Sequence, residues 1–170
     1  MPVVLGVDPG LTRCGFGIIA ASGNRPEYRI AGVIRTPATD TIERRLRLVW
    51  EGLLAIVDEH RPDAISVERV YAQANVRTVM GTAQVSGLAL LAAVTRGIPV
   101  STYTPTEMKA AVTGSGRADK AQVTNMVQRI LRLPEPIKPA DASDALGLAI
   151  CHVWRGSAQA RIAAAVGARP

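Results

Sequence analysis

The chain opens on a continuous apolar run, Val3–Asp8, of the kind that forms a buried strand. Pro9-Gly10 signals a turn, and two further strand-like runs follow at 14–21 and 28–35, separated by Ser22-Gly23-Asn24-Arg25-Pro26. Three strands joined by short turns predict an antiparallel meander. The period then changes. Ile42, Leu46, Val49, Leu53 and Ile56 recur at helical spacing, Asp40 and Glu43 are spaced as a capping box, and Pro62 closes the segment. Ala64–Glu68 is a short β-type run after this helical crossover, which suits a strand parallel to the first.

A second long helix is predicted over 76–96. Val76, Val79, Met80, Ala83, Gly87, Leu90, Leu91 and Val94 form its apolar stripe, read most simply as core packing, and Gly97 is its stop. A fifth strand is predicted over 98–103. Thr104-Pro105-Thr106-Glu107 carries a cap, a proline at the first helical position and a glutamate three residues after the cap. A Gly-rich loop at 113–117 precedes another helix at 119–131. Pro134, Pro136 and Pro139 mark a stiff linker, and a last helix is predicted over 140–154. The Ala/Arg/Gly-rich segment 157–170 reads as a frayed tail. The order of elements predicts a mixed-sheet α/β domain over 1–156, with helices on both faces because the first and fourth strands are almost wholly apolar.

Composition narrows the class. A length of 170 residues with 48% apolar content fits one folded domain whose core, at 4% aromatics, is built mainly from Val, Ile, Leu and Ala. The net charge of +6, almost all from arginine, suits a polyanionic partner such as nucleic acid, although an arginine-rich solvated surface gives the same number. Cys14 and Cys151 form no CxxC pattern, which excludes a zinc finger or disulfide framework and leaves both as small buried hydrophobes. No segment is read as a membrane span, and Met1-Pro2-Val3-Val4 lacks the start of a signal peptide, so a cytoplasmic protein with no membrane partner is expected.

Four acids stand out. Asp8 and Glu68 end the first and fourth strands, and parallel neighbours would present both at the edge where open α/β sheets place ligands. Asp141 and Asp144 lie three apart at the start of the last helix, about 60° apart around its axis. Taken singly, each has a plain reading as a turn residue or a helix-start acid. Taken together, they could converge. Two carboxylates ~4 Å apart repel by ~4 kcal/mol at an effective dielectric of 20, so such a cluster calls for a cation. All-oxygen ligands select Mg²⁺ or Mn²⁺, and two such ions about 4 Å apart cut phosphodiesters without a histidine base. His60 ends a helix, and His152 lies about 16 Å along the last helix from Asp141, so both read as structural.

Four blocks in order carry a resemblance: Gly6-Val7-Asp8-Pro9-Gly10; Val67-Glu68-Arg69-Val70-Tyr71 with Ala74-Asn75; the run from Val112 through Gly114, Gly116, Arg117 and Lys120 to Val123; and Asp141-Ala142-Ser143-Asp144 continuing to His152. Over nearly its full length the chain resembles the RuvC-type Holliday-junction resolvases. The resemblance implies a ribonuclease-H-like fold with a five-stranded mixed sheet, making 1–156 the nuclease domain. It implies an endonuclease that resolves four-way junctions in DNA recombination and repair by paired, symmetric, metal-dependent nicks. Asp8, Glu68, Asp141 and Asp144 fall on the family's metal-binding carboxylates, for two Mg²⁺ per subunit with Mn²⁺ as substitute. Lys120 falls on a basic residue near the scissile phosphate and Lys109 on another DNA-contacting position. Tyr71 stands where the family usually has a phenylalanine that stacks on an unpaired base. Arg77 and Arg117 are further candidates for phosphate contact. The implied partners are a second copy of the chain, as a homodimer for which the small residues Gly81, Ala83, Ser86 and Gly87 of the second long helix could permit a close helix–helix contact, and the branch-migration proteins RuvA and RuvB.

Two other classes fit parts of the sequence. Asp8-Pro9-Gly10-Leu11-Thr12 matches the D-x-G-x-T phosphate loop of actin-like and sugar-kinase ATPases, but those need two such domains and no pair like Asp141/Asp144. A non-catalytic binder of branched DNA would not need all four acids.

Overall fold

The computed structural model describes residues 1–71 and 75–167, with backbone alone from 157 onwards. Its elements, in chain order, are β1 (Val3–Asp8), β2 (Arg13–Ser22), β3 (Arg25–Arg35), α1 (Ile42–His60), β4 (Ala64–Glu68), α2 (Val76–Thr95), β5 (Val100–Tyr103), α3 (Pro105–Thr113), α4 (Lys120–Ile130) and α5 (Ala140–Gly167). The five strands form one mixed sheet in the order β3-β2-β1-β4-β5. β1, β2 and β3 are antiparallel neighbours, while β4 runs parallel to both β1 and β5.

Period-two alternation sorts each strand between two helical layers. Leu5 and Val7 of β1 and Ile65 and Val67 of β4 pack with Val49, Leu53 and Val57 of α1 and Val85, Ala89 and Ala93 of α2. On the other face, Val4 and Ile19 pack with α3, α4 and α5 through Met108, Val123, Leu146 and Ile150. Each fully buried Leu or Ile contributes about 1.5–3 kcal/mol. Helices therefore cover both faces, as the apolar strands require.

α5 lies close on the sheet because β1 and β2 present glycines to it. A Cβ on Gly6 would collide with the Ala145 carbonyl oxygen, and one on Gly15 with the carbonyl oxygen of Asp141. The Ser66 hydroxyl donates to the Leu148 carbonyl at 2.9 Å, which ties β4 to the same helix inside the core. Cys14 and Cys151 are buried free thiols, as read from the sequence.

Several local expectations need correction. α1 is capped at Thr41, not Asp40, and without a side-chain bond. Asp40 sits in the preceding turn, its N–H donating to Pro37, so Glu43 falls one position short of a capping box. β3 begins at Arg25 because Gly23, at φ 59°, and Asn24 make a tight two-residue hairpin turn. β3 is an edge strand and so tolerates Pro26. The boxes at Thr104/Glu107 and Asp119/Gln122 do form.

α2 inverts the expected stripe. It buries Gly81, Val85, Ala89, Ala92 and Ala93, while Val76, Met80, Leu90, Leu91 and Val94 are exposed. Small side chains let this helix lie close to α1 and to β4. At 20 residues, with an 18-residue stretch of mean hydropathy 1.4, α2 is also long and apolar enough to cross a membrane by length and composition, against the expectation that no segment is. Its small-residue stripe is the one packed within the domain.

α5 continues to Gly167 rather than ending at Trp154. Gly156 costs about 1 kcal/mol relative to alanine, but the alanines at 158, 160 and 163–165 have the best helix propensity of any residue.

Candidate active site

The two strand-end acids are neighbours by register. Val7 pairs with Val67 across the parallel β1–β4 ladder, and Asp8 and Glu68 are the next residue on each strand. Both share parity with residues that face α5, Gly6 on β1 and Ser66 on β4. The close approach of α5 at Gly15 carries Asp141 to the same edge, with Asp144 one turn further along.

The four acids line one cavity of about 300 Å³ together with Lys109, Lys120, Pro105, Met108 and Val123. α3 supplies Lys109, and Lys120 is the first residue of α4, after its cap Asp119. Two cations therefore face four carboxylates.

Burial and crowding raise these acids. The Asp8 carboxyl is pushed up to about 8, first by burial and then by Glu68, Asp144 and Asp141, with Lys120 opposing. Glu68 is pushed up to about 7 by burial and then by Asp144, with Lys120 and Lys109 opposing. Asp144 also lies above the usual carboxylate range, chiefly through burial. Asp141 is held from outside: the Arg13 Nε lies 3.3 Å from its Oδ2, a half-exposed pair of small energy.

The donor set fits a hard divalent cation. The four acids bring only carboxylate oxygens, and among the described residues the lining includes no histidine or cysteine. Among the described residues, no three acidic, His or Cys side chains are already closed around one point. Closing them brings like charges together, which a bound cation would offset.

The remaining expected residues lie around this centre. Tyr71 is exposed and lines a separate cavity of about 400 Å³ that shares Glu68. Arg77, in the first turn of α2, lines a third cavity that shares Asp141. Arg117 sits in the exposed α3–α4 loop and is not in the lining of the carboxylate cavity. Ala74 lies outside the described residues, while the Asn75 side chain caps α2 by accepting from Thr78 N–H. His152 is not in the lining of the carboxylate cavity; burial lowers its pKa, and its Nδ1 lies 3.1 Å from the Tyr103 hydroxyl.

Sequence reading missed Arg13 and Arg45. Arg13 follows the Gly10-Leu11-Thr12 turn directly, so its closeness to Asp8 was available as a signal. Arg45 is brought in by tertiary folding, with Nε donating to Thr36 Oγ1 at 2.9 Å and a terminal nitrogen to Thr12 Oγ1 at 2.7 Å.

Comparison with known proteins identifies the family. The family model described as crossover junction endodeoxyribonuclease RuvC matches residues 4–152. The protein of that name from Salinispora arenicola is 62% identical over 163 residues, covering 95% of this chain and 93% of the relative. The one from Streptomyces coelicolor is 60% identical over 164 residues, covering 96% and 87%. Among solved structures, T. thermophilus RuvC in complex with Holliday junction substrate superposes with a TM-score of 0.88 at 30% identity, covering 94% of this chain and 97% of that one. The yeast mitochondrial Holliday junction resolvase Ydc2, at 12% identity, TM-score 0.64 and coverage of 92% and 82%, shares the fold. The architecture is thus ribonuclease-H-like, and the chain belongs to the RuvC family of crossover junction endodeoxyribonucleases.

Proposed function

We infer that this protein is a metal-dependent endodeoxyribonuclease that resolves four-way Holliday junctions by nicking two opposed strands symmetrically. The observation that carries the reading is the convergence of Asp8, Glu68, Asp141 and Asp144 on one cavity that also holds Lys109 and Lys120. The substrate is supported by the T. thermophilus RuvC structure, which contains Holliday junction substrate and has nearly the same fold.

In this reading the four acids hold two Mg²⁺ ions per subunit, with Mn²⁺ as substitute. Bound there, the ions would supply Lewis acidity for phosphodiester hydrolysis. The chain's own groups do the rest. Lys120 offsets charge at the scissile phosphate, and Lys109, from α3, contacts the same strand. Pro105, Met108 and Val123 give the cavity an apolar wall that limits water. Tyr71 stacks on an unpaired base at the crossover, a contact of roughly 1–3 kcal/mol. Arg77 and Arg117 contact neighbouring phosphates. Two strands are cut by two copies, and the exposed α2 stripe of Val76, Met80, Leu91 and Val94 is the surface we assign to the homodimer. RuvA and RuvB are the expected partners, and the cytoplasm the site of action.

The test is a mobile synthetic four-way junction, end-labelled on each strand in turn. Symmetric nicks in opposed strands, with linear duplex left intact, are expected. Unpaired cuts on any DNA would make the protein a general nuclease. Junction binding without nicks would make it a binding module.

A further inference from the structure

Beside the carboxylate cavity lies a larger one of about 710 Å³, between the Gly10–Arg13 turn and the N-terminal parts of α1 and α2. Asp141 lines both. Three arginines, Arg13, Arg45 and Arg77, face this second cavity, and among the described residues the acids that line it are Asp40 and Asp141. Arg13 is paired with Asp141. Among the described residues, neither Arg45 nor Arg77 is in an ion pair.

Arg45 is held in place by neutral acceptors. Its Nε and a terminal nitrogen donate to the hydroxyls of Thr36 and Thr12. Thr36 is itself only 4% exposed and donates to the Leu11 carbonyl at 2.5 Å. This chain orients a full positive charge towards the cavity without cancelling it. A guanidinium fixed by hydroxyls and left with free N–H groups suits an oxyanion, and above all a phosphate.

We propose that this cavity is a second phosphate subsite, taking a backbone phosphate of the DNA strand whose scissile phosphate lies at the four acids. Arg45 is its preformed cation, and Arg77 closes it from α2. Arg13, which lines this cavity and pairs with the shared Asp141, bridges Asp141 and the incoming phosphate. The subsite rests on the reading of this chain as a DNA-cutting enzyme. A free nucleotide offers the same phosphate chemistry, and the Gly10-Leu11-Thr12 turn lines this cavity. The shared Asp141 favours a strand continuing out of the carboxylate cavity.

The test measures junction affinity against salt concentration, with Ca²⁺ present, for the wild type, Arg45→Gln and Arg77→Gln. Each variant should bind about tenfold more weakly. Each should also flatten the log K against log salt slope by about 0.9, as one lost phosphate contact does. Arg45→Gln also removes bonds to Thr12 and Thr36, so its melting temperature is measured alongside. Arg77→Gln decides the matter if Arg45→Gln is unstable. Wild-type affinity and slope in a stably folded variant would overturn the subsite and leave the nuclease reading standing. Failure of the wild type to bind any junction would overturn both. Binding of ATP without DNA, lost in the same variants, would overturn the subsite in favour of a nucleotide pocket.

Discussion

Asp8 and Glu68 end parallel strands in adjacent register, one residue beyond the Val7–Val67 pair, so that two carboxyls share one cavity. Their pKa values lie at about 8 and about 7, against ordinary values of 3.8 and 4.5. Folding therefore favours their protonated forms, and the folded state binds more protons than the unfolded chain between the two sets of values. By linkage, the metal-free protein loses stability as pH rises from about 4 to about 8 and levels off above that. The two groups titrate as a coupled pair. Thermal melts in chelator should fall across this window, and Asp8→Asn should remove much of the slope. Mg²⁺ should stabilise more at pH 8 than at pH 5, because protons and metal compete for the same oxygens. A metal-free melting temperature that rises from pH 5 to 8 would contradict this electrostatic picture.

Tyr71 lies outside the carboxylate cavity but lines the one next to it with Glu68. Replacing its ring should therefore affect the opening of the crossover more than docking of the junction. Tyr71→Ala is expected to slow cleavage by about tenfold or more, in line with the loss of one stacked base, while junction affinity changes little. Tyr71→Phe should cut at close to the wild-type rate. Single-turnover cleavage and gel-shift affinity on the same junction check both. An unchanged rate in Tyr71→Ala would remove the residue from the site.

Gly6 is where α5 meets β1, and a methyl group there runs into the Ala145 carbonyl. Backbone cannot rotate aside as a side chain can, so Gly6→Ala must push α5 off the sheet. The expected cost is about 1–3 kcal/mol or more, lowering the melting temperature by roughly 2–4 °C per kcal/mol. Because Asp141 and Asp144 ride on α5, cleavage should fall further than stability alone explains. Full activity in a Gly6→Ala protein would show that the close approach does not set the site.

Much of this arrangement is legible in the amino-acid sequence. The apolar runs of β1 and β4 have the length and composition of buried strands, and each ends in its acid, so the Asp8–Glu68 pairing followed from a parallel crossover. The caps at Thr104 and Asp119 were legible because capping is local chemistry. The α2 stripe was not, because periodicity shows that a helix has two faces without showing which one packs. Here the small residues Gly81, Ala89 and Ala93 turn inward, since they allow closer contact than Met80 or Leu91. The end of α5 was missed because Gly156 and the arginines beyond Trp154 look like a tail, although the alanines carry the helix on. Arg45 was invisible because its partners Thr12 and Thr36 are 33 and 9 residues away and meet only in the folded chain.

The central claim is that the four acids serve metal-dependent cutting and not DNA binding, and Glu68→Gln tests it most directly. The variant keeps the side chain's shape, removes one negative charge and one proposed cation ligand, and relieves repulsion with DNA. Cleavage of a four-way junction in Mg²⁺ and junction affinity in Ca²⁺ would be measured on the same preparation. A lost ligand of this kind should cost several kcal/mol at the transition state, roughly a hundredfold to a thousandfold in rate, with affinity kept or slightly improved. Cutting that persists in Glu68→Gln, or affinity that falls in step with cutting, would contradict the account.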